Sequence, residues 1–226
     1  MGKRKYKVLD YIDDVGEKKT LTFECTTPHI LISGDRVEDI LALEKKMLKN
    51  LSESNGKEIN LVVVDDKLVL PEDFFSDMEF NYISSMTEED AILFLGGRPS
   101  LKFLDRYSML YRYNLKNFSE LNESGIEHLK MLVYYFPSVS ENQKLHMALG
   151  KCATAIQVGI HVIAGINFML KKPRLLDGCE TRFSFPSEDK FKDMRFFCKL
   201  EKDLPKTGEV WFRDSERCVK PVEIEQ

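Results

Sequence analysis

Glycine is scarce where nucleotide chemistry would need it. The chain has 12 glycines in 226 residues, and none lies in a pattern that frees backbone amides ahead of a helix. Gly150-Lys151 has no glycine five residues earlier, and Gly96-Gly97 closes an apolar run instead of opening a helix. Both depart from the phosphate-loop and dinucleotide patterns. A G-x-S-x-G nucleophile turn is also missing. The five cysteines (Cys25, Cys152, Cys179, Cys198, Cys218) are odd in number, far apart and without a C-x-x-C pair. That argues for reduced thiols in a cytosolic or nuclear setting and against a disulfide framework. The N terminus carries no apolar segment of the secretory kind. Met1-Gly2 is followed by Tyr6 where a myristoylation signal has Ser or Thr. His29, His128, His146 and His161 are too widely spaced for a metal motif, so neither metal nor cofactor is expected.

Charge of one sign is not in excess either. With 33 basic and 37 acidic residues the net charge is −4, so a polyanion contact would need a local patch. Lys3, Arg4, Lys5 and Lys7 form such a patch at the N terminus. At 43% hydrophobic and 31% charged residues the composition is that of an ordinary folded chain.

Periodicity supplies the elements. Leu21, Phe23 and Cys25 alternate with polar residues, and His29 to Ile32 resumes after Pro28: two short strands with a kink. Asp35 and Glu38 open a helix that carries Val37, Ile40, Leu41, Met47, Leu48 and Leu51 to Asn55-Gly56. Leu61 to Val64 and Leu68 to Leu70 flank Asp65-Asp66, which predicts a hairpin. Pro71 to Met86 is an acidic loop with Phe74, Phe75, Phe80 and Tyr82. Thr87 opens a helix that stops at Gly96-Gly97. Leu104 to Leu115 reads as a strand, Glu120 to Phe136 as a helix closed by Pro137.

Cys152 to Leu170 holds no formal charge over 19 residues. Its alternation of Ile156, Val158, Ile160, Val162, Ala164 and Ile166 with Gln157, Gly159, His161, Gly165 and Asn167 predicts two strands bent near Ala164-Gly165, not a membrane span. Ser187 to Leu204 reads as a last helix, and Gly208 to Phe212 as a closing strand with the single tryptophan.

Three ordered stretches resemble the matrix proteins of rhabdoviruses. They are Ile92-Leu93-Phe94-Leu95-Gly96-Gly97 with Ser100-Leu101-Lys102; Gln157-Val158-Gly159-Ile160 leading to Gly165-Ile166; and Lys190-Phe191-Lys192-Asp193 through Glu201-Lys202 to Gly208–Ser215. The resemblance implies a non-enzymatic viral structural protein that self-associates beneath the envelope of the virion and condenses the ribonucleoprotein during assembly and budding. Its implied partners are further copies of itself, a nucleocapsid protein with RNA, an anionic membrane and host budding or nuclear transport factors. Its implied locations are the virion, the host cytoplasm and inner membrane faces, and the host nucleus. Lys3, Arg4, Lys5 and Lys7 would meet lipid; Phe74, Phe75, Phe80 and Tyr82 would mediate self-association. Tyr107-Ser108-Met109-Leu110 fits a Tyr-x-x-Leu budding word, whereas Pro-Pro-x-Tyr and Pro-Thr/Ser-Ala-Pro are missing.

The expected architecture is α+β: one compact domain, mostly antiparallel sheet packed against about four helices. A basic tail at 1–19 and a C-terminal tail at 219–226 would flank a globular domain at 20–218. Two rivals stand beside it. One is a small intracellular enzyme using Cys152 with His146 or His161, or a carboxylate pair, although Asp65-Asp66 and Glu88-Glu89-Asp90 read as turn and cap acids. The other is an accessory module that binds a protein through Phe74, Phe75 and Phe80.

Overall fold

A computed structural model describes residues 6–24, 29–96, 101–167, 178–187, 209–213 and 219–224, with backbone only at 101–103. Its strands are β1 (Tyr6–Ile12), β2 (Lys18–Phe23), β3 (Ile30–Ser33), β4 (Ile59–Val63), β5 (Tyr82–Ser85), β6 (Met131–Phe136), β7 (Ile160–Ile166), β8 (Thr181–Ser184), β9 (Glu209–Arg213) and β10 (Val219–Ile224). The described helices are α1 (Val37–Asn55), α2 (Glu88–Gly96), α3 (Leu101–Arg112), α4 (Phe118–Ser124) and α5 (Gln143–Lys151). All ten strands form one sheet in the order β2-β1-β10-β9-β8-β3-β7-β6-β4-β5.

Every pairing from β8 to β5 is parallel; those from β2 to β8 are antiparallel. The expected α+β domain with a mostly antiparallel sheet is therefore corrected to α/β: a parallel core extended at one side by an antiparallel wing. The physical reason is burial on two faces. All residues of β3, β6, β7 and β8 are buried, which requires helices above and below the sheet. One layer forms around α1, whose Ile40, Leu43, Met47, Leu48 and Leu51 join Ile30, Ile32, Tyr135 and Ile163. The other gathers α2, α3 and α5 over Leu31, Val62, Tyr134 and Val162. Gly96 lets α2 lie directly on α5, since a Cβ there would stand 2.5 Å from the Ala148 Cβ.

Four local expectations change. The stretch Leu104 to Leu115 is not a strand: Leu101–Arg112 is helical, with Arg106 and Leu110 buried one turn apart. Glu120 to Phe136 is not one helix. Gly125 ends α4 in the left-handed region at φ 70°, and the Asn122 side chain grips both the N–H and the carbonyl of Leu129 (2.9 and 3.0 Å), turning the chain into β6. Leu68 to Leu70 forms no hairpin with β4, whose two edges are taken by β5 and β6. Asp65 instead accepts the Val69 and Leu70 amides (3.0 Å each) and closes a turn. In the long uncharged stretch, Cys152–Val158 is 3-10 helix, Gly159 turns at φ 73°, and only β7 is strand. The expected helix at Ser187 to Leu204 lies, beyond Ser187, outside the described residues.

Arg106 pins α3 to the sheet. Its guanidinium donates to the Val158 carbonyl (2.8 Å) and the Lys130 carbonyl (2.6 Å), and burial lowers its pKa to about 10. Arg106→Met should cost about 2 kcal/mol, because it strands two carbonyls while keeping the apolar stem. Denaturant unfolding at neutral pH checks this.

Candidate functional site

In an open parallel sheet, ligands meet the carboxyl ends of the strands where the connections diverge to opposite sides. Here that place lies at the ends of β3, β7 and β8, with β6 and β4 beside them. The β3–α1 connection is only Gly34-Asp35-Arg36. The Gly34 N–H donates to the Ile166 carbonyl (3.3 Å), the Phe185 N–H to the Ser33 carbonyl (2.8 Å), and the Ser187 hydroxyl to Asp35 (2.8 Å). A Cβ on Gly34 would come within 3.3 Å of both Ile40 and Phe185. Glu38 and Asp39 occupy the first turn of α1, where they complement its dipole, and Arg36 lies 3.8 Å from each.

Beneath this rim lies a carboxyl group that periodicity could have revealed but did not. Glu44 sits four residues after Ile40 and four before Leu48, on the apolar stripe of α1, and is fully buried. The Tyr135 hydroxyl donates to its Oε2 (2.9 Å), while Oε1 has no partner. Burial raises its pKa well above the usual carboxyl range. Gly165 of β7 makes the room: a Cβ there would lie 2.6 Å from Glu44 Oε1 and 2.8 Å from the Pro137 carbonyl. At the end of β4, Lys67 donates to the Ser138 hydroxyl and the Val139 carbonyl (3.2 and 3.3 Å), and Asp66 accepts the Glu88 N–H (2.9 Å).

A triphosphate in a phosphate-loop enzyme needs a cradle of freed amides with a lysine, and a metal held partly by an acid at a strand end. The three residues of the β3–α1 connection do not fit that cradle. The neighbouring β6 ends Tyr134-Tyr135-Phe136-Pro137 without a carboxylate.

Other side chains singled out from sequence are scattered. Lys3, Arg4 and Lys5 lie outside the described residues; Lys7 is in β1 and pairs with Asp10 at 2.6 Å. Phe74 is buried and stacks on Tyr135 (5.9 Å); Phe75 and Phe80 are half-buried against the same layer, and Tyr82 is exposed. Tyr107 and Leu110 fall on α3, where Tyr107 donates to the Thr154 carbonyl (3.0 Å) and Leu110 is core.

Cys152 makes no nucleophilic pair among the described residues. Its thiol donates to the Leu149 carbonyl (3.0 Å), and burial pushes its pKa well up. His146 contacts the Ser140 carbonyl at 2.8 Å, and His161 stacks on Phe23. His29 Nε2 lies 2.8 Å from the Cys152 carbonyl, so that nitrogen carries the proton. Burial takes the His29 pKa down to about 4. Among the described residues no group of three metal-ligating side chains occurs, and no helix is long and apolar enough to cross a membrane.

No family model and no curated protein matches the sequence. Solved structures do match. The pCW3 conjugation coupling protein TcpA, in a monomer form with ATPγS, superposes with a TM-score of 0.74 at 15% identity, over 99% of this chain and 66% of that one. EssC from Geobacillus thermodenitrificans (ATPases 2 and 3) gives 0.71 at 10% identity, over 98% and 44%. The cytoplasmic domain of the Thermomonospora curvata type VII secretion ATPase EccC gives 0.71 at 15% identity, over 99% and 29%. The chain thus spans between 29% and 66% of these neighbours.

The chain shares the α/β fold of these neighbours. Nothing resembling a rhabdovirus matrix protein is among these neighbours, and the matrix expectation is corrected: the non-enzymatic viral structural role read from three short words gives way to a likeness with ATPase domains over nearly the whole chain.

Proposed function

We propose that this chain is a motor-type NTPase domain of an ATP-driven translocation machine, of the kind that moves protein or nucleic acid. In this reading its nucleotide chemistry is completed by a partner domain that brings the phosphate loop. The observation that carries the reading is the superposition of 98–99% of the chain on ATPase domains of secretion and conjugation systems at TM-scores of 0.71–0.74. The division of labour follows from the strand ends. The three-residue β3–α1 connection has no cradle for phosphates, and Arg36, its one cation, lies 3.8 Å from both Glu38 and Asp39, so that with Asp35 the rim is net negative.

The test uses the tagged full-length protein recovered from its own cells. ATP hydrolysis is measured on the recovered complex and on the chain alone. We expect vanadate-insensitive, magnesium-dependent turnover by the complex, at least about tenfold above that of the chain, a difference of ~1.4 kcal/mol in barrier. A complex without turnover overturns the reading. Full turnover by the isolated chain overturns the shared-site part of it.

A further inference from the structure

The two edges of the sheet are built differently. Edge strand β2 carries exposed Lys18 and Lys19, the charged kind of edge that discourages pairing with another chain. Edge strand β5, Tyr82-Ile83-Ser84-Ser85, has no charge, no proline and no bulge. Tyr82 is 61% exposed and Ile83 38%. Among the described residues no strand lies beyond it. The Met86 N–H donates to the Val63 carbonyl at 2.9 Å. By the alternation of a strand, the main-chain groups of Ile83 and Ser85 then face away from β4.

Clefts stand at both ends of this edge. At its start, where α1 ends, a cleft of ≈520 Å³ is lined by Glu53, Glu58, Asp77 and Glu79, with Lys57 the one cation on its wall. Lys49 matches Asp77 (2.8 Å) and Lys130 lies 3.9 Å from Glu58; with Lys57 set against Glu53 and Glu79, the cleft keeps a net negative charge. At its finish a cleft of ≈480 Å³ is lined by Ser85, Met86, Leu93, Phe94 and Asp90. A segment of about six extended residues, at ~3.3 Å each, reaches from one cleft to the other.

We infer that β5 is a docking edge for an extended, basic and apolar segment of another protein, which adds as an eleventh strand. Main-chain bonds to Ile83 and Ser85 supply affinity; the two clefts take its side chains and supply selectivity. Charge decides the occupant. A second copy pairing antiparallel through β5 would bring Glu53 and Glu79 against Asp90 of its twin, whereas a lysine-bearing strand meets acid at both ends.

The probes are two fluorescein-labelled hexapeptides, Lys-Val-Lys-Val-Lys-Val and Glu-Val-Glu-Val-Glu-Val, titrated against the full chain at low salt by anisotropy. The basic peptide should bind at least about tenfold more tightly, and Glu53→Lys with Glu79→Lys should abolish that preference. Ile83→Pro removes an outward amide without touching the β4 ladder, a place where an edge strand tolerates proline. It should weaken the basic peptide at least about tenfold with unchanged circular dichroism. If that variant unfolds, hydrogen exchange on the natural chain decides, because the peptide should slow the Ile83 and Ser85 amides and spare those of β2. Equal binding of the two peptides, binding of neither, or unchanged exchange at β5 overturns the assignment. So does a dimer of the free chain that Ile83→Pro dissociates, which would give the edge to a second copy.

Discussion

Acidification from neutral pH to about pH 4.5 is expected to remove about 2.5 kcal/mol of stability through His29 alone. The folded-state pKa of His29 is about 4 against an ordinary 6.5, because its ring is fully buried. In the unfolded chain the imidazole takes up a proton as the pH falls through 6.5; in the folded protein it does not until about 4. The unfolded state therefore binds more protons across that window, and stability rises with pH. Above the window the contribution is flat. His161, also fully buried and held well below its ordinary pKa, acts in the same direction.

Glu44 acts the opposite way: its raised pKa means that stability declines as pH climbs above the ordinary carboxylate range. Its slope opposes that of the histidines. His29→Gln keeps a donor for the Cys152 carbonyl and removes the titration. Guanidinium unfolding at pH 7.5 and about 4.5 should show a flatter profile in the variant by about 2 kcal/mol. Parallel profiles would show that His29 is not the group responsible.

Gly165→Val is expected to cost about 3 kcal/mol or more, at the upper end of overpacking penalties. The Cβ alone would stand 2.6 Å from Glu44 Oε1, 2.7 Å from Ile40 Cγ2 and 2.8 Å from the Pro137 carbonyl. Two of these neighbours belong to α1 and one to the backbone after β6, so relief requires lifting the helix off the sheet. Glu44→Ala removes one of the three clashes and the unpartnered oxygen with it. The pair should therefore be non-additive, the double variant being more stable than the sum of the single effects by about 1 kcal/mol. Thermal unfolding of the four proteins checks this; strict additivity would mean that the helix had already moved in the Gly165→Val single variant.

These two positions also show what could be read in advance. An acid on the apolar stripe between Ile40 and Leu48 is a visible anomaly in α1. Nothing local says that a tyrosine 91 residues away will bond it, or that a glycine of β7 will make its space. His29 and His161 were legible only as widely spaced histidines. Their rings come 6.3 Å apart because β3 and β7 are parallel neighbours, and no spacing rule along the chain encodes that. The chemistry at the strand ends was half legible. The lack of a glycine-rich phosphate loop is plain in the sequence; that the chain shares the α/β fold of ATPase domains is not.

Misreadings of type had one common source. Tyr107, Tyr111 and Tyr113 alternate like a strand, yet Arg106 reaches the Val158 and Lys130 carbonyls only from a helix laid over the sheet. Ile126 to Tyr135 has spacings compatible with a helix, yet Met131–Phe136 is the buried strand β6 between β7 and β4. A short apolar run carries no period of its own when both its faces are covered.

Composition and local pattern were enough for an ordinary folded chain, for α1 and α2, for a strand on either side of Pro28 and one at the tryptophan, and for the want of a spelled-out catalytic motif. Those properties depend on residues within a few turns of one another. Tertiary structure alone decided that the sheet is parallel at its core, that its carboxyl ends gather at β3, and that β5 is left as an open edge. Strand order is set by which buried faces the helices cover, a sum over contacts distant in the chain.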